Sequence, residues 1–270
     1  MKKLCLSFIA VGVLAGLSGC GSKSNNTIRI GASTTPHAEI IKEITPALEK
    51  EGYKVELTEF TDYVKPNQAL VNDNLDANFF QHKPYMEEWA IKAKAEDKIT
   101  SVFAVHFEPL GIYSNTNKNL KDIKQGAKIA IPNDPTNGGR ALQLLNANGV
   151  ISLKDGLGIK ATKNDITENK QKVEIIEMAA EACAKNISDV DYAVVNGNNA
   201  LLAKISDKLI ITESKESEAA QTYANIIAVQ PKHADDAKIK ALIKALNSED
   251  VKTFINEKYK GIVVPLVPTK

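Results

Sequence analysis

From Lys128 to Leu145 the chain passes through a short apolar run (Ile129, Ala130, Ile131), breaks at Pro132, Pro135 and the pair Gly138 and Gly139, and resumes with Ala141, Leu142, Leu144 and Leu145 at helical spacing. The apolar run reads as a buried parallel strand and the later spacing as the inner face of a helix. Strand, turn and helix in direct succession commit the chain to an α/β sheet. Thr136 or Asn137 is the expected N-cap. A helix start offers unpaired backbone N–H groups and the positive end of a dipole. Arg140, in that first turn, gains nothing from the dipole and needs a negative partner. The expectation is a carboxylate-binding pocket at the C-terminal end of a sheet, where open α/β sheets bind ligands. An ordinary surface arginine is the alternative, and a phosphate loop is the weaker reading because no Gly-Lys-Ser/Thr follows.

Met1, Lys2 and Lys3 precede an apolar run over 4–17 and then Leu17, Ser18, Gly19 and Cys20. A basic start and a short hydrophobic core make 1–19 a signal peptide, too short and too rich in Gly and Ala for a secure membrane span. The Leu-Ser-Gly-Cys ending resembles the bacterial lipobox, which implies cleavage before Cys20 and lipidation of that thiol. Residues 20–26 then form the lipidated cysteine and a flexible tether, so the protein is expected to be anchored to a membrane without spanning it. Cys5 leaves with the signal, and Cys183 alone cannot make an internal disulfide. With no His nearby in sequence, Cys183 is expected to be a buried, inert thiol.

The 270 residues suffice for one large or two modest domains. A net charge of +1 with both signs interspersed gives no electrostatic case for nucleic acid. The chain contains no Gly-x-Ser-x-Gly and no His-Glu-x-x-His, so no enzyme activity is expected. His37, His82, His106 and His233 are scattered without ligand spacing, so neither a metal nor a cofactor is expected.

Residues 27–32 read as a first strand, Ile40, Ile41, Ile44 and Leu48 as a helix face, and 53–57 as a second strand. This βαβ opening predicts parallel pairing. Tyr63 follows in a loop before a short helix at Pro66. Over 76–85 aromatics crowd a helix start, and in extended backbone Phe80 and His82 face opposite to Phe79 and Gln81. One face can pack the core while the other lines a cleft. A β-rich run over 101–113, broken at Glu108 and Pro109, reads as a first crossover between lobes. Strands are expected at 173–176, 189–195 and 209–211, with Asn196, Gly197, Asn198 and Asn199 at a strand-to-helix junction. Their amides can donate and accept, as an amino-acid ligand requires, although Asn-Gly is also ordinary turn chemistry. Residues 223–229 are the expected return crossover. The expected fold is therefore bilobal α/β with two crossovers, lobe 1 spanning 27–112 plus 226–270 and lobe 2 spanning 113–225.

The stretches 76–85, 132–140 and 191–198, together with the lipobox, resemble the methionine-binding lipoproteins of the NlpA/MetQ family. The resemblance implies a periplasmic-binding-protein fold of type II-like topology. It also implies the role of substrate-binding component of an ABC importer, a monomer serving a permease and its ATPase from the cell envelope, on the periplasmic or extracellular side. Arg140 would pair with the ligand carboxylate, and Asn196 and Asn225 would hold the amino and carboxylate groups. Asn137 would also contact ligand, and Tyr63, Phe80 and Tyr85 would surround the thioether with His82 beside them. A sulfur among aromatic rings gains about 0.3–1.5 kcal/mol per good contact. On this reading Arg140→Ala abolishes binding and spares the fold. The chain departs from the family pattern over 179–185 and at Asn199, where Tyr is common. A Met-containing dipeptide or another amino acid is the alternative ligand, and a surface adhesin the alternative role.

Overall fold

The computed structural model describes residues 26–214 and 221–266. The expected signal peptide and Cys20 lie outside the described residues, among which no helix is long and apolar enough to cross a membrane. The chain opens with β1 (Thr27–Ser33), α1 (His37–Lys50), β2 (Lys54–Phe60), α2 (Lys65–Val71), β3 (Ala77–His82), α3 (Lys83–Ala93) and β4 (Thr100–Phe107). β1 pairs in parallel with β2 and with β3, as a βαβ opening requires. Helix α1 buries Ile40, Ile41, Ile44 and Leu48, the stripe its spacing predicts. Those side chains share one core with Ile28, Ile30 and Phe79.

After Pro109 the chain enters a second sheet with β5 (Gly111–Tyr113), β6 (Lys128–Pro132) and α4 (Pro135–Ala147). The small pair β7 (Ser152–Leu153) and β8 (Ile166–Glu168) follows, then β9 (Glu174–Met178), α5 (Ala180–Lys185), β10 (Tyr192–Val195), α6 (Gly197–Leu202) and β11 (Leu209–Thr212). The order in this sheet is β11-β5-β10-β6-β9. Its cores are separate from the first, built around Ile129, Leu142 and Tyr192 on one side and Ala130, Cys183 and Val195 on the other. The chain returns through β12 (Ala224–Val229), α7 (Ala237–Leu246), α8 (Glu249–Tyr259) and β13 (Val264–Pro265). The first sheet is thereby completed in the order β13-β4-β12-β3-β1-β2, with β12 antiparallel to both β3 and β4.

Sheet membership shifts the expected lobe boundaries by about two residues. Gly111 and Ile112 already pair in the second sheet with β10, because Pro109 cannot donate to a ladder and ends β4 before it. Ala224 and Asn225 pair with Phe107 and His106 of the first sheet, which places Asn225 in lobe 1.

Candidate functional site

The two sheets meet over a narrow cavity of about 20 Å³. Phe80, His82 and Tyr85 from the end of β3 and the start of α3, Tyr63 from the loop after β2, and Asn225 from β12 line it on one side. Asn137 and Arg140 from α4, and Asn196 and Asn198 from the β10–α6 junction, line it on the other. The eight positions singled out from the sequence therefore converge on one cavity. Gln81, Glu108 and Asn198 line it as well.

The alternation along β3 explains the aromatic wall. Phe79 points into the lobe 1 core, edge-on to His37 with centroids 4.6 Å apart. Phe80 points the other way and meets Tyr63 at 6.0 Å and Tyr85 at 6.1 Å, distances at which tilted and edge-on rings attract. Gln81 exchanges two hydrogen bonds with Asn67, donating at 2.7 Å and accepting at 2.8 Å, and Asn78 donates to the same Asn67 oxygen. These buried amides satisfy one another and brace the strand from behind. His82 caps α3 by accepting the Tyr85 N–H on Nδ1.

Asp134, and neither Thr136 nor Asn137, is the N-cap of α4. Pro135 occupies the first helical position, where its missing N–H costs nothing, so the cap falls on the residue just before it. The Asp134 carboxylate accepts both the backbone N–H and the side-chain NH2 of Asn137. That turns the Asn137 oxygen away, to accept from Asn196 Nδ2 at 2.9 Å and His82 Nε2 at 3.1 Å. The Asn196 nitrogen is thus committed, and its Oδ1 is a buried acceptor without a hydrogen-bond partner among the described residues. Gly139 lets α4 pack closely on the segment at Ile159, with whose backbone a Cβ there would collide.

Arg140 already has protein partners. Its Nε and Nη2 donate to the two carboxylate oxygens of Glu213, and Nη2 also donates to the Glu108 carbonyl. Its guanidinium stacks on Tyr223 at 4.3 Å. Arg140 is buried and Glu213 largely so, at 3% and 12% exposed. The expectation that Arg140→Ala spares the fold is corrected accordingly, because Glu213 would be left as an uncompensated buried charge.

Glu108 joins the lobes at the first crossover. Its Oε1 accepts from His106 Nε2 at 2.8 Å and lies 3.4 Å from His37 Nε2. Its Oε2 accepts the backbone N–H of Asn198 at 2.6 Å, serving the start of α6 in place of an Asn196 side-chain cap. His37 Nε2 also lies 2.9 Å from Asn225 Oδ1. An amide oxygen only accepts, so His37 carries its proton on Nε2 and leaves the Asn225 nitrogen to donate elsewhere. Burial lowers the three histidines, His37 to about 4 against the pull of Glu108, and His82 and His106 to about 3. Arg140 adds to the lowering of His82, and burial raises Glu108.

The donor atoms of His37, His106 and Glu108 lie within 4.8 Å of one another, a grouping that sequence spacing does not reveal. Both Nε2 atoms are turned to Glu108 Oε1, and neither Nδ1 has a partner. Metal-bound imidazoles need an acceptor for their second nitrogen, which these lack. The cluster is therefore a hydrogen-bond network. Cys183 is buried in the lobe 2 core, and burial pushes its thiol up to about 12.

Sequence reading missed Glu108, Glu213 and His37, and named Asn198 only among the junction amides. Glu108 was legible only as a kink before proline, and the partners that define Glu213 and His37 are remote in sequence.

Residues 28–267 match the family model of the NlpA lipoproteins. The methionine-binding lipoprotein MetQ of Bacillus subtilis (strain 168) is 39% identical over 98% of this chain and 99% of its own length. The D-methionine-binding lipoprotein MetQ of Salmonella typhimurium is 36% identical over 94% and 96%. The solved structure of a nutrient-binding protein from Burkholderia cenocepacia, bound to methionine, superposes with a TM-score of 0.83. It is 43% identical and covers 89% of this chain and all of its own. Two α/β lobes, two crossovers and matches along nearly the full length lead to one conclusion: the chain belongs to the NlpA lipoprotein family.

Proposed function

We propose that this protein is the substrate-binding lipoprotein of an ABC importer, capturing methionine between its lobes and passing it to a permease coupled to an ATPase. The observation that carries the reading is the cavity's polarity. Asn196 Oδ1 is a buried acceptor without a partner, and the Glu108 carboxylate lines the same space, so one end suits an ammonium group. Arg140 and the Asn225 amide nitrogen supply donors for a carboxylate. Tyr63, Phe80 and Tyr85 form an apolar aromatic wall suited to a thioether. Relatives named for methionine or D-methionine binding, and a neighbour with methionine bound, support the same ligand.

On this reading the lobes hinge at the crossovers and close over the ligand. Cys20 carries the lipid that holds the protein, a monomer, to the cell envelope. No residue is assigned a catalytic role.

Isothermal titration of refolded protein with L-methionine, D-methionine and Gly-Met tests the reading. Saturable binding of free methionine, stronger than that of Gly-Met, is the expected result. Binding of Gly-Met alone would reassign the ligand to a dipeptide. Silence from all three in a folded sample would overturn the assignment.

A further inference from the structure

Tyr63 belongs to lobe 1, yet both partners of its hydroxyl belong to α6 of lobe 2. The hydroxyl donates to Asn198 Oδ1 at 2.5 Å and accepts from Asn199 Nδ2 at 3.0 Å. A phenol has one proton and two lone pairs, so these contacts use its donor and one acceptor site. The backbone of Tyr63 is pinned separately, since the Tyr85 hydroxyl donates to its carbonyl at 2.9 Å. Its ring sits against Phe80 and Tyr85 as part of the aromatic wall. Asn199 is only 4% exposed and is not among the residues that line the cavity. A buried amide that misses its hydrogen bonds is costly, and the side-chain partner of this one is the Tyr63 hydroxyl.

We propose that Asn199 is a positioning residue for the bound side chain. Acting through the Tyr63 hydroxyl, it locks the Tyr63 ring in the cavity wall as the lobes meet, and so governs how fast ligand leaves rather than how fast it enters. The proposal rests on the reading of the cavity as a methionine site. Closing contacts made after encounter slow dissociation and leave association nearly unchanged.

The test is a chase of radiolabelled L-methionine from the full chain and from Asn199→Ala, Tyr63→Phe and the double variant. Each single change is expected to speed dissociation about five- to tenfold, the scale of one or two neutral hydrogen bonds, with association altered less than twofold. The double variant should dissociate no faster than Tyr63→Phe, because the contribution of Asn199 passes through the hydroxyl. Additive effects, or unchanged dissociation in either single variant, would overturn the proposal. Tyr63→Phe keeps the ring and guards against a result caused by misfolding.

If the full chain retains no methionine, the reading of the ligand fails by itself. Hydrogen exchange of the ligand-free proteins then decides the contact. Both single variants should speed exchange over 61–65 and 197–203, Tyr63→Phe at least as much as Asn199→Ala because it also removes the Asn198 contact, and unchanged exchange would overturn the proposal.

Discussion

His37 and His82 make the same hydrogen bond in two different settings. Each faces an asparagine oxygen through Nε2, His37 to Asn225 at 2.9 Å and His82 to Asn137 at 3.1 Å. The first bond lies within lobe 1 and fixes the orientation of one amide. The second joins lobe 1 to lobe 2. Their charged neighbours also differ, for Glu108 favours the proton on His37 while Arg140 opposes it on His82. One contact thus does two jobs, set by which lobe carries the partner and which charge stands behind it.

Removing the charges themselves should have the largest effects. Arg140→Ala is expected to weaken methionine binding about a thousandfold and to lower the melting temperature, since breaking a buried charge pair costs about 3–5 kcal/mol. Arg140→Lys restores the charge without the two-point fork and should recover only part of both. Binding loss with an unchanged melting temperature would show that the Glu213 pair contributes nothing to folding.

Glu108→Gln should follow, weakening binding about 30- to 100-fold, the scale of a hydrogen bond to a charged group at about 1.5–3 kcal/mol. Its new NH2 must face either the His106 N–H or the Asn198 N–H, so thermal stability should fall too. Calorimetry and melting curves on the same sample measure both.

The lowered histidines fix the sign of the pH dependence. Unfolded imidazoles titrate near 6.5, whereas the folded ones titrate at about 4 for His37 and about 3 for His82 and His106. Between these values the unfolded chain binds protons that the native protein refuses, so stability is lost as pH falls from 6.5 toward 4. Each group contributes a slope of about 1.4 kcal/mol per pH unit at most. Glu108, raised by burial, acts in the opposite sense and reduces the total. Urea unfolding from pH 7 to 4.5 should show the decline, and a flat profile between 6.5 and 5 would refute the burial of neutral imidazoles.

The smallest effect separates the two histidines. His37→Phe keeps a ring against Phe79 and removes one neutral hydrogen bond, so affinity should fall only about three- to tenfold, near 1 kcal/mol. His82→Phe removes the bond between lobes and the cap of α3 together, and should cost more. Equal losses in calorimetry would break the comparison.

Much of the fold was legible because period and punctuation agree locally: the stripe of α1, the alternation of β3, and the break at Pro109 each follow from adjacent residues. The candidate site was legible where its lining sits on a motif, as at Arg140 and Asn196. What escaped was chemistry assembled by topology. Asp134 takes the α4 cap because Pro135 fills the first turn, and that choice propagates through Asn137 to leave Asn196 Oδ1 unpartnered. Glu213 meets Arg140, and Glu108 meets Asn198, only once both sheets are formed.

On the proposed reading the cavity recognises both charged ends of a free amino acid. The most direct measurement is calorimetric titration with L-methionine beside N-acetyl-methionine and methioninamide. On that reading, the acetyl group removes the ammonium that Asn196 Oδ1 and Glu108 would accept, and the amide removes the carboxylate that Arg140 and Asn225 would hold. Tight binding of methionine with a loss of at least about a hundredfold for each derivative is the predicted result, as expected when buried charged partners go unmatched. Undiminished binding of either derivative would contradict the assignment of that end of the cavity.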